Sequence, residues 1–577
     1  MGKGSGAAHV ARVVRKYKDR EYVSFLLRRS YREAGKVKHE TLANLSALPA
    51  QAIEALRMSL AGRRLVDAEE AFQITRSAPH GHVAAVWAMA RKLGLPALLG
   101  PACPERDLAM ALVVARVCEP DSKLATTRWW ADTTLGVDLG VAEASTDQVY
   151  AAMDWLGERQ ERIERRLARR HLAPGGLVYY DLSSSWVEGR CCPLAARGYS
   201  RDRKRGLAQI EYGLVTDPQG RPVAVEVFAG NTGDPATVGA TVARVRDRFG
   251  IQRIVMVGDR GMLTAARVEA LRSLGGVGWI TTLRAPQVAA LAQAGTIQPS
   301  LFDQTNLAEV SHPDYPGERL VVCRNPLLGA ERARKRTELL AATAAELDKV
   351  AASVEAGRLH GAADIGVKVG RVLGRFKMAK HFTLDITDAG FGYARNQPAI
   401  DAEAALDGIY VVRASVAASD LDAAGLVDAY KRLSNVERDF RSLKTVDLEL
   451  RPIHHHLEPR VRVHVFLCLL AAYLVWHLRR AWAPLTFTDE APPQRSDPVA
   501  PAERSTAATH KAASQQTADG TPAHSFHTLL THLATLTRDD IVFTGPTGTP
   551  IQKLTTPTAT QRKAFQLIQA VIPLTLT

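Results

Sequence analysis

Short apolar runs alternate with amphipathic segments through residues 173–284. The runs LVYYDLSSSW (177–186), IEYGLVT (210–216) and RPVAVEVFAG (221–230) are rich in the residues typical of strands, and the turn DPQG separates the last two. A helical pattern, a buried run that ends just before Asp259, a second helical pattern and the run GWITTLR follow. This order predicts an α/β fold in which helices cover a mixed sheet and chemistry lies at strand ends.

The sheet pattern is interrupted after residue 284. Residues 285–405 contain a long helical pattern rich in Ala, Arg and Glu, and we interpret them as an insertion domain. The run DGIYVVRAS (407–415) resumes the strand pattern, so residues 406–484 are expected to complete the core. The apolar run at 465–476 is too short to span a membrane and predicts a buried helix.

Four flanking segments have patterns of their own. Residues 1–84 predict a small basic α+β module, with two strands around a glycine-containing turn. Residues 85–172 predict a helical N-terminal region, and its last helix is so rich in arginine that it either contacts DNA or presents a solvated face. Residues 485–524 are expected to be a flexible linker, and 525–577 a C-terminal tail with one short helix.

Composition narrows the classes of partner. The chain has 577 residues, with 74 Lys and Arg against 60 Asp and Glu, a net charge of +14 that favours a polyanion, most simply nucleic acid. Charge alone does not separate DNA from RNA or an anionic membrane surface. The six cysteines form no CxxC pair, which argues against a zinc site or a disulfide framework and favours a reduced, cytoplasmic compartment. We find neither a signal-peptide pattern nor a GxxxxGK[ST] loop, so no membrane and no nucleotide cofactor are expected.

The stretch YKRLSNVERDFRSLK (430–444) holds Glu437 among several cations. If it is a continuous helix, one arc of roughly 60° contains five positions: Tyr430, Leu433, Glu437, Arg441 and Lys444. Apolar residues form an adjoining stripe that can pack on a core. The simplest interpretation is a solvated amphipathic helix with an i,i+4 pair between Glu437 and Arg441.

Three carboxylates stand out by position: Asp181 on the first strand, Asp259 after a later strand, and Glu437 on the basic helix. Converging carboxylates could hold two Mg²⁺ ions for an in-line displacement at phosphorus, with Mn²⁺ as a substitute. Structural alternatives exist, since Asp181 could cap a turn and Asp259 could pair with Arg260. We interpret all three as metal ligands and catalytic residues.

Several separate motifs resemble those of DDE-type insertion-sequence transposases. They are VYYDLSSSW, GDRGM, DGIYVV, the pattern Y-x2-L-x3-E-x6-K at residues 430–444, and RPIHHHLEPRVRVHVFLCLLAAYL. The pattern is similar to the Y-R-E-K signature of one group in the IS-four-like superfamily. The resemblance implies an RNase H-like mixed sheet with helices on both faces, interrupted by an insertion domain between the second and third acids. It also implies that Asp181, Asp259 and Glu437 are the metal-binding triad and that Tyr430 and Lys444 lie near DNA.

The sequence departs from that family pattern at two places. Leu433 stands where the signature has Arg, and Arg441 is our candidate for supplying the missing charge to DNA. Some relatives hold a flipped base against a Trp of the insertion domain, whereas residues 285–405 contain no Trp. Four aromatic residues there could stack on a base instead: Phe376, Phe382, Phe391 and Tyr393. Whether cleavage passes through a DNA hairpin stays open.

The function implied is that of a transposase that binds the terminal repeats of its element, cleaves 3′ ends and joins them to target DNA, as a homodimer on double-stranded DNA. Lys368, Arg371 and Arg375 share a helix face that either follows the DNA backbone or is solvated. A metal-dependent nuclease of the same fold and a catalytically silent DNA-binding relic are the alternatives. The HxxR spacing at His477 suggests a tyrosine recombinase, but no Tyr follows Tyr473 to act as nucleophile.

Overall fold

The computed structural model describes residues 6–63, 65, 71–189, 191–202, 204, 206–543 and 550–576. The chain divides into two compact units. The first combines Met1–Ser77 with Arg538–Thr555, and the second combines Ala78–Thr537 with Thr556–Thr577.

The first unit is built on an antiparallel meander of three strands. They are Ala8–Tyr17 (β1), Arg20–Glu33 (β2) and Lys36–Asn44 (β3), and the helix Ala50–Leu60 (α1) and strand Phe72–Pro79 (β4) follow. The predicted turn between two strands is confirmed at Gly35, whose φ of 76° is a conformation that glycine adopts at little cost. β1 was not predicted, because its run AHVARVVRKY carries too many cations to read as a strand.

Seven helices open the second unit: Gly81–Lys92 (α2), Leu95–Leu99 (α3), Pro104–Cys118 (α4), Lys123–Asp132 (α5), Thr134–Asp138 (α6), Thr146–Gly157 (α7) and Gln160–His171 (α8). The helical character predicted for this stretch is confirmed. Several arginines of α8 donate to main-chain carbonyls around α3. Arg162 bonds to Leu99 at 3.0 Å, and Arg170 bonds to Leu93 at 2.9 Å. These contacts satisfy carbonyls that a helix end leaves without partners, a structural role that neither sequence interpretation of α8 included.

The first part of the catalytic core alternates strands and helices as predicted. The elements are Leu177–Trp186 (β5), Gln209–Thr216 (β6), Pro222–Ala229 (β7), Asp234–Ala243 (α9), Ile254–Val257 (β8), Ala265–Ser273 (α10), Val277–Thr282 (β9), Ala285–Gln293 (α11), Leu307–Val310 (β10) and Arg319–Arg324 (β11). A π-helix, Arg244–Arg248, continues α9, and a 3₁₀ turn at Pro299–Phe302 precedes β10.

An inserted helical layer follows β11. Its elements are Pro326–Glu355 (α12), Ala362–Phe376 (α13), a 3₁₀ turn at Ala379–His381, Phe382–Ile386 (β12), Phe391–Arg395 (β13) and Gln397–Ala404 (α14). It has a hydrophobic core of its own, and the four aromatic residues proposed for base stacking lie in or against that core. Tyr393 also donates to Asp348 at 2.5 Å. Phe382 is buried in this core, whereas Phe376, Phe391 and Tyr393 pack against it and are only partly buried, so base stacking by these three rings stays a prediction.

The chain returns to the sheet as the strand Ile409–Ala414 (β14), and the strand order is β10-β11-β14-β9-β8-β5-β6-β7. β8 lies parallel to both β5 and β9, whereas β5, β6 and β7 form an antiparallel meander. The order β7-β6-β5-β8-β9 is that of an RNase H-like sheet, and β14, β11 and β10 extend its edge. Because β10 and β11 pair into this sheet, the predicted insertion at 285–405 begins too early, and the part outside the sheet starts at Pro326.

Helices cover both faces of the sheet. The Tyr179 hydroxyl donates to Ala429 at 2.8 Å, in the helix Ala423–Lys431 (α15). Its neighbour Tyr180 points to the opposite face, as period-two alternation requires, and lies beside Thr237 and Thr241 of α9. The RNase H-like fold with helices on both faces is confirmed.

Three further helical segments complete the core: Leu433–Arg441 (α16), a π-helix at Ser442–Val446, and Glu458–Ala481 (α17). The prediction of a buried apolar helix is confirmed in α17, where Phe466, Leu470 and Leu474 are all fully buried. Within the described residues it is the one helix long and apolar enough to cross a membrane, yet 83% of that apolar window is buried inside the protein.

The C-terminal segment contains more structure than predicted. After a 3₁₀ turn at Ala483–Leu485 come Thr506–Ser514 (α18), Phe526–Ala534 (α19), Thr537–Phe543 (β15), Ile551–Leu554 (β16) and Ala559–Leu567 (α20). The predicted flexible linker holds α18, and the Nζ of Lys431 donates to the carbonyls of Val499 and Ala500 at 2.7 and 2.8 Å. The composition of this segment, which is rich in Pro, Ser and Thr, could not predict such contacts with residues far away in sequence.

Candidate active site

Strand register brings the first two acids together. β5 and β8 are parallel and pair Tyr179 with Val257, so Asp181 lies two residues further along β5 and Asp259 lies two residues past the end of β8. Side chains two residues apart point to the same face of a sheet. Tyr179 marks that face as the one covered by α15, and α16 follows α15 after a single residue, Arg432.

All three acids open onto one cavity of about 480 Å³. Its lining also includes Leu182, Ser183, Arg201, Asp202, Phe440, Arg441, Lys444, Thr445 and Arg451. The structure therefore brings together five of the six predicted site residues: Asp181, Asp259, Glu437, Arg441 and Lys444. Tyr430 is outside this lining, although it is close enough to feel the charges of Asp259 and Glu437.

The acids of the cavity are held by backbone groups. Oδ1 of Asp181 accepts the backbone N–H of Leu182 at 2.8 Å. Oδ1 of Asp259 accepts the N–H groups of Gly261 and Met262 at 2.9 and 2.8 Å. None of the three acids forms an ion pair with a described residue, so the predicted alternative of a pair between Asp259 and Arg260 is wrong.

Burial raises the pKa of Asp181 to about 7, against the opposing hydrogen bond from Leu182. The negative charges of Asp259 and Glu437 raise this pKa further, and the positive charge of Arg201 lowers it. A carboxylate that lacks a cation in a desolvated position behaves in this way. Binding of a cation in the cavity would remove the penalty.

The donor set fits a divalent metal by its chemistry. Carboxylate oxygens are the ligands that Mg²⁺ and Mn²⁺ prefer, and Asp181, Asp259 and Glu437 supply three such groups. Within the described part of the chain, no three His, Cys, Asp or Glu side chains form a compact ligand group. The three acids share a cavity without sharing an ion-sized space, so the fit rests on donor type and raised pKa rather than on preformed coordination.

Three of the cations that line the cavity form ion pairs with acids other than Asp181, Asp259 and Glu437. Nζ of Lys444 lies 2.8 Å from Oδ1 of Asp202, and the guanidinium of Arg451 contacts the same oxygen. Arg201 pairs with Glu211 at 3.2 Å. Burial lowers the pKa of Lys444, and its bond to Asp202 opposes that effect. Lys444 is thus a fixed, buried charge in the cavity wall, while Arg441 is exposed.

The signature helix is not continuous. α15 ends at Lys431 and α16 begins at Leu433. Leu433 is only 6% exposed, so the position of the signature Arg faces the core in this chain. Arg432 is exposed and lies 3.8 Å from Asp428, away from the cavity lining. Tyr430 accepts a hydrogen bond from the Thr282 hydroxyl at 3.1 Å, and burial raises its pKa.

Sequence reasoning missed three charged residues of the cavity: Arg201, Asp202 and Arg451. The first two lie in the basic run YSRDRKRG (199–206), and such a run is ordinarily a solvated loop. The available signal was a single acid among four arginines and lysines in the connection between β5, which carries Asp181, and β6. Arg451 opens the motif RPIHHHLEP, which resembles the family but gives no sign that its first residue lines the site.

Two family models match this sequence. Residues 10–73 match "IS1634 family transposase, N-terminal domain", and residues 187–474 match "Transposase DDE domain". The second match includes Asp259 and Glu437 and begins after Asp181. An RNase H-like core that matches the DDE domain, preceded by a transposase N-terminal domain, defines a DNA transposase. The chain belongs to the DDE-type insertion-sequence transposases.

Other comparisons add little. No curated protein matches the sequence. Among solved structures, the cryo-EM structure of the piggyBac transposase synaptic complex with hairpin DNA is similar over 74% of this chain and 70% of that chain, at 10% identity and a TM-score of 0.33. A similarity at that level carries no argument about the site.

Proposed function

We propose that this transposase cleaves the 3′ ends of its own element and joins them to target DNA, using divalent metal held by Asp181, Asp259 and Glu437. One observation carries the proposal: three carboxylates that pair with no cation among the described residues line the same cavity as Arg441, Lys444 and Arg451. Such a cavity suits a phosphodiester, because carboxylates bind metal ions and the neighbouring cations can bind phosphate oxygens.

Two successive displacements make up the reaction. Water attacks phosphorus at each end of the element, the bond to the 3′ oxygen breaks, and a 3′-OH remains on the element with a 5′ phosphate on the flank. That 3′-OH then attacks a target phosphodiester, and no covalent bond to the protein forms. When bound, two Mg²⁺ or Mn²⁺ ions supply activation of the attacking oxygen and stabilisation of the leaving oxygen.

The chain's own residues position the DNA in this proposal. Arg441 is exposed at the cavity and supplies the charge that Leu433 cannot. Lys444 and Arg451 are fixed by Asp202, so their charges need no reorganisation when phosphate arrives. Tyr430 is outside the cavity lining but close enough to Asp259 and Glu437 for their charges to raise its pKa. Lys368, Arg371 and Arg375 are exposed on α13 and extend the basic surface available to a duplex.

The partners follow from the same chemistry. Terminal repeats and target DNA are both duplexes, and strand transfer needs two ends in one complex. We therefore expect a homodimer to assemble on paired ends. Binding through phosphate contacts will weaken steeply as salt rises.

The test uses the full chain with labelled DNA that carries the end of its own element, in Mg²⁺, Mn²⁺ or EDTA. Glu437→Gln removes a carboxylate from the cavity, and we expect metal-dependent cleavage and joining to disappear. Asp439→Asn is the matched control, two residues along the same helix and outside the cavity lining. Burial raises the pKa of Asp439 to about 8, so the amide replaces a carboxyl that is mainly neutral at pH 7. The control should retain activity.

Three other outcomes would each contradict part of the proposal. Cleavage without joining would indicate a nuclease of the same fold. Binding without cleavage in any metal would indicate a silent relic. Cleavage that survives Glu437→Gln would overturn the assignment of the third acid.

A further inference from the structure

The two faces of the β1–β2–β3 sheet differ in charge. Residues that stand opposite each other in antiparallel strands share a face. The register pairs Arg15 with Tyr22 and Tyr17 with Arg20. Because side chains alternate along β2, Arg28 and Arg32 lie on the same face as Arg20 and Tyr22. Two contacts confirm the assignment further along that face: Ser30 hydrogen bonds His39 at 2.9 Å, and the rings of His9 and His39 are 6.1 Å apart.

The opposite face holds all the acids of these strands, and each acid is paired. Glu21 lies 3.1 Å from Lys16, Glu33 lies 2.6 Å from Lys38, and Glu40 lies 2.5 Å from Arg29. The same face also carries Arg12 and Lys36, neither of which forms an ion pair with a described residue. Most of the charge on this face is therefore neutralised within the sheet.

We call the other side the arginine face, defined by Arg15, Arg20, Arg28, Arg32, Tyr17 and Tyr22. Among the described strand residues it carries no acid, and none of its four arginines forms an ion pair with a described residue. Tyr17 and Tyr22 are 68% and 53% exposed. Arg15, Arg20 and Arg32 are exposed, and Arg28 is half-buried. A surface with these cations and exposed tyrosines, without internal acids, is arranged for an anionic partner.

We propose that the arginine face binds the phosphate backbone of duplex DNA, an inference that rests on the proposed function. Charge complementarity carries it, because a DNA duplex presents a phosphate charge for about every 1.7 Å of its axis. Arginine guanidinium groups bond phosphate oxygens in a bidentate manner, and tyrosine hydroxyls donate to the same oxygens.

Spacing along the sheet favours a duplex. Two arginines lie at the β1–β2 hairpin end, Arg15 and Arg20, and two lie toward the β2–β3 hairpin, Arg28 and Arg32. About nine strand residues separate the two groups, or about 30 Å at roughly 3.4 Å per residue. One turn of B-form DNA is about 34–36 Å. The two groups can therefore meet phosphates on the same side of a duplex, one turn apart.

The test measures affinity of the full chain for a labelled duplex from the end of its element, by fluorescence anisotropy over a range of salt. The variants are Arg15→Gln with Arg20→Gln, and Arg28→Gln with Arg32→Gln. The control is Arg12→Gln with Lys36→Gln, which removes the same charge from the opposite face of the same strands. We expect each arginine-face pair to weaken binding roughly tenfold. The slope of log affinity against log salt should flatten by up to about 1.8, at about 0.9 for each lost phosphate contact.

The control pair should change affinity less than about threefold, the part that long-range charge alone accounts for. Equal losses from both faces, or no loss from the arginine face, would overturn the inference. Circular dichroism and the thermal midpoint identify any variant that fails to fold, and the second arginine pair then decides the matter. Failure of the unmodified chain to bind any DNA would instead count against the proposed function, so the two failures are distinguishable.

Discussion

Buried and half-buried carboxylates of the catalytic core fall into two groups that differ in their neighbours. Asp181 and Asp259 accept backbone N–H groups and have no protein cation as a direct partner among the described residues. Acids of the second group are each bonded to a cation: Asp202 to Lys444 at 2.8 Å, Glu211 to Arg201 at 3.2 Å, and Glu318 to Arg413 at 2.6 Å. An acid with its cation is balanced, whereas an acid without one is either mainly neutral, as Asp439 is with a pKa raised to about 8, or is left to be balanced by a ligand.

The two groups meet in one cavity, whose lining includes both Asp202 and Asp181. Position in a pocket therefore does not separate a metal ligand from a supporting residue. Charge balance does, since the Asp202 side chain is 3% exposed and already serves two cations. The comparison predicts that losing an acid of the second group costs stability and that losing one of the first group costs activity.

The largest effect should follow Asp202→Asn. This change leaves Lys444 and Arg451 buried without their shared acid, and breaking a buried pair typically costs about 3–5 kcal/mol of unfolding free energy. Urea unfolding monitored by tryptophan fluorescence measures it. Activity should also fall, because the two cations lose their fixed positions.

The matched control for Asp202 is Glu269→Gln. Glu269 pairs with Arg272 at 2.7 Å but is 68% exposed, and exposed pairs contribute about 0–1 kcal/mol. Adding Lys444→Met to Asp202→Asn should recover part of the lost stability. If Asp202→Asn unfolds like the unmodified protein, charge balance is not what distinguishes the two groups.

Asp181→Asn should have the opposite profile. Cleavage should fall at least about a hundredfold, since even residues that merely support metal ligands typically contribute 10–100-fold. Stability without divalent metal should rise instead. The folded-state pKa of about 7 exceeds the ordinary value of 3.8, so the penalty of the ionised carboxylate grows as pH rises from 4 to 7 and is complete above 7.

The unfolding midpoint of Asp181→Asn should therefore exceed that of the unmodified protein by more at pH 8 than at pH 5, with EDTA present in both. Excess Mg²⁺ should reduce the difference by stabilising only the unmodified chain. A variant that is less stable at pH 8 would show that Asp181 has a structural partner, as the second group of acids does.

The sequence alone was sufficient to predict those helices and strands of the core that neighbouring residues determine. β5 spans LVYYDLSSSW as predicted, and the register that brings Asp181 beside Asp259 follows from two parallel strands. Asp202 could not be assigned, because its role depends on Lys444 and Arg451, which lie more than 240 positions away. Tyr430 shows the same limit: a continuous helix would place it on one face with Glu437, but α15 ends at Lys431 and α16 begins at Leu433, and Tyr430 is outside the cavity lining.

The smallest effect is expected for the converse case, a buried cation that forms no ion pair with a described acid. Lys123 on α5 is 5% exposed, and its ammonium lies 3.5 Å from Nδ1 of His464, near Arg116 and Cys468. Burial, with the charge of Arg116, lowers its pKa to about 7. A lowered folded-state pKa means that the penalty of the charged form is present below pH 7 and fades as pH rises toward 10.5.

Lys123→Met should therefore stabilise the protein by about 1–2 kcal/mol at pH 6 and by less at pH 9, because methionine fills similar space and needs no counter-charge. Thermal unfolding at the two pH values measures the difference. Lys349→Met, at a position 71% exposed, should show no such pH dependence. If Lys123→Met destabilises at pH 6, the hydrogen bond to His464 outweighs the missing acid. Charge balance would then govern the carboxylates of this protein but not its buried cations.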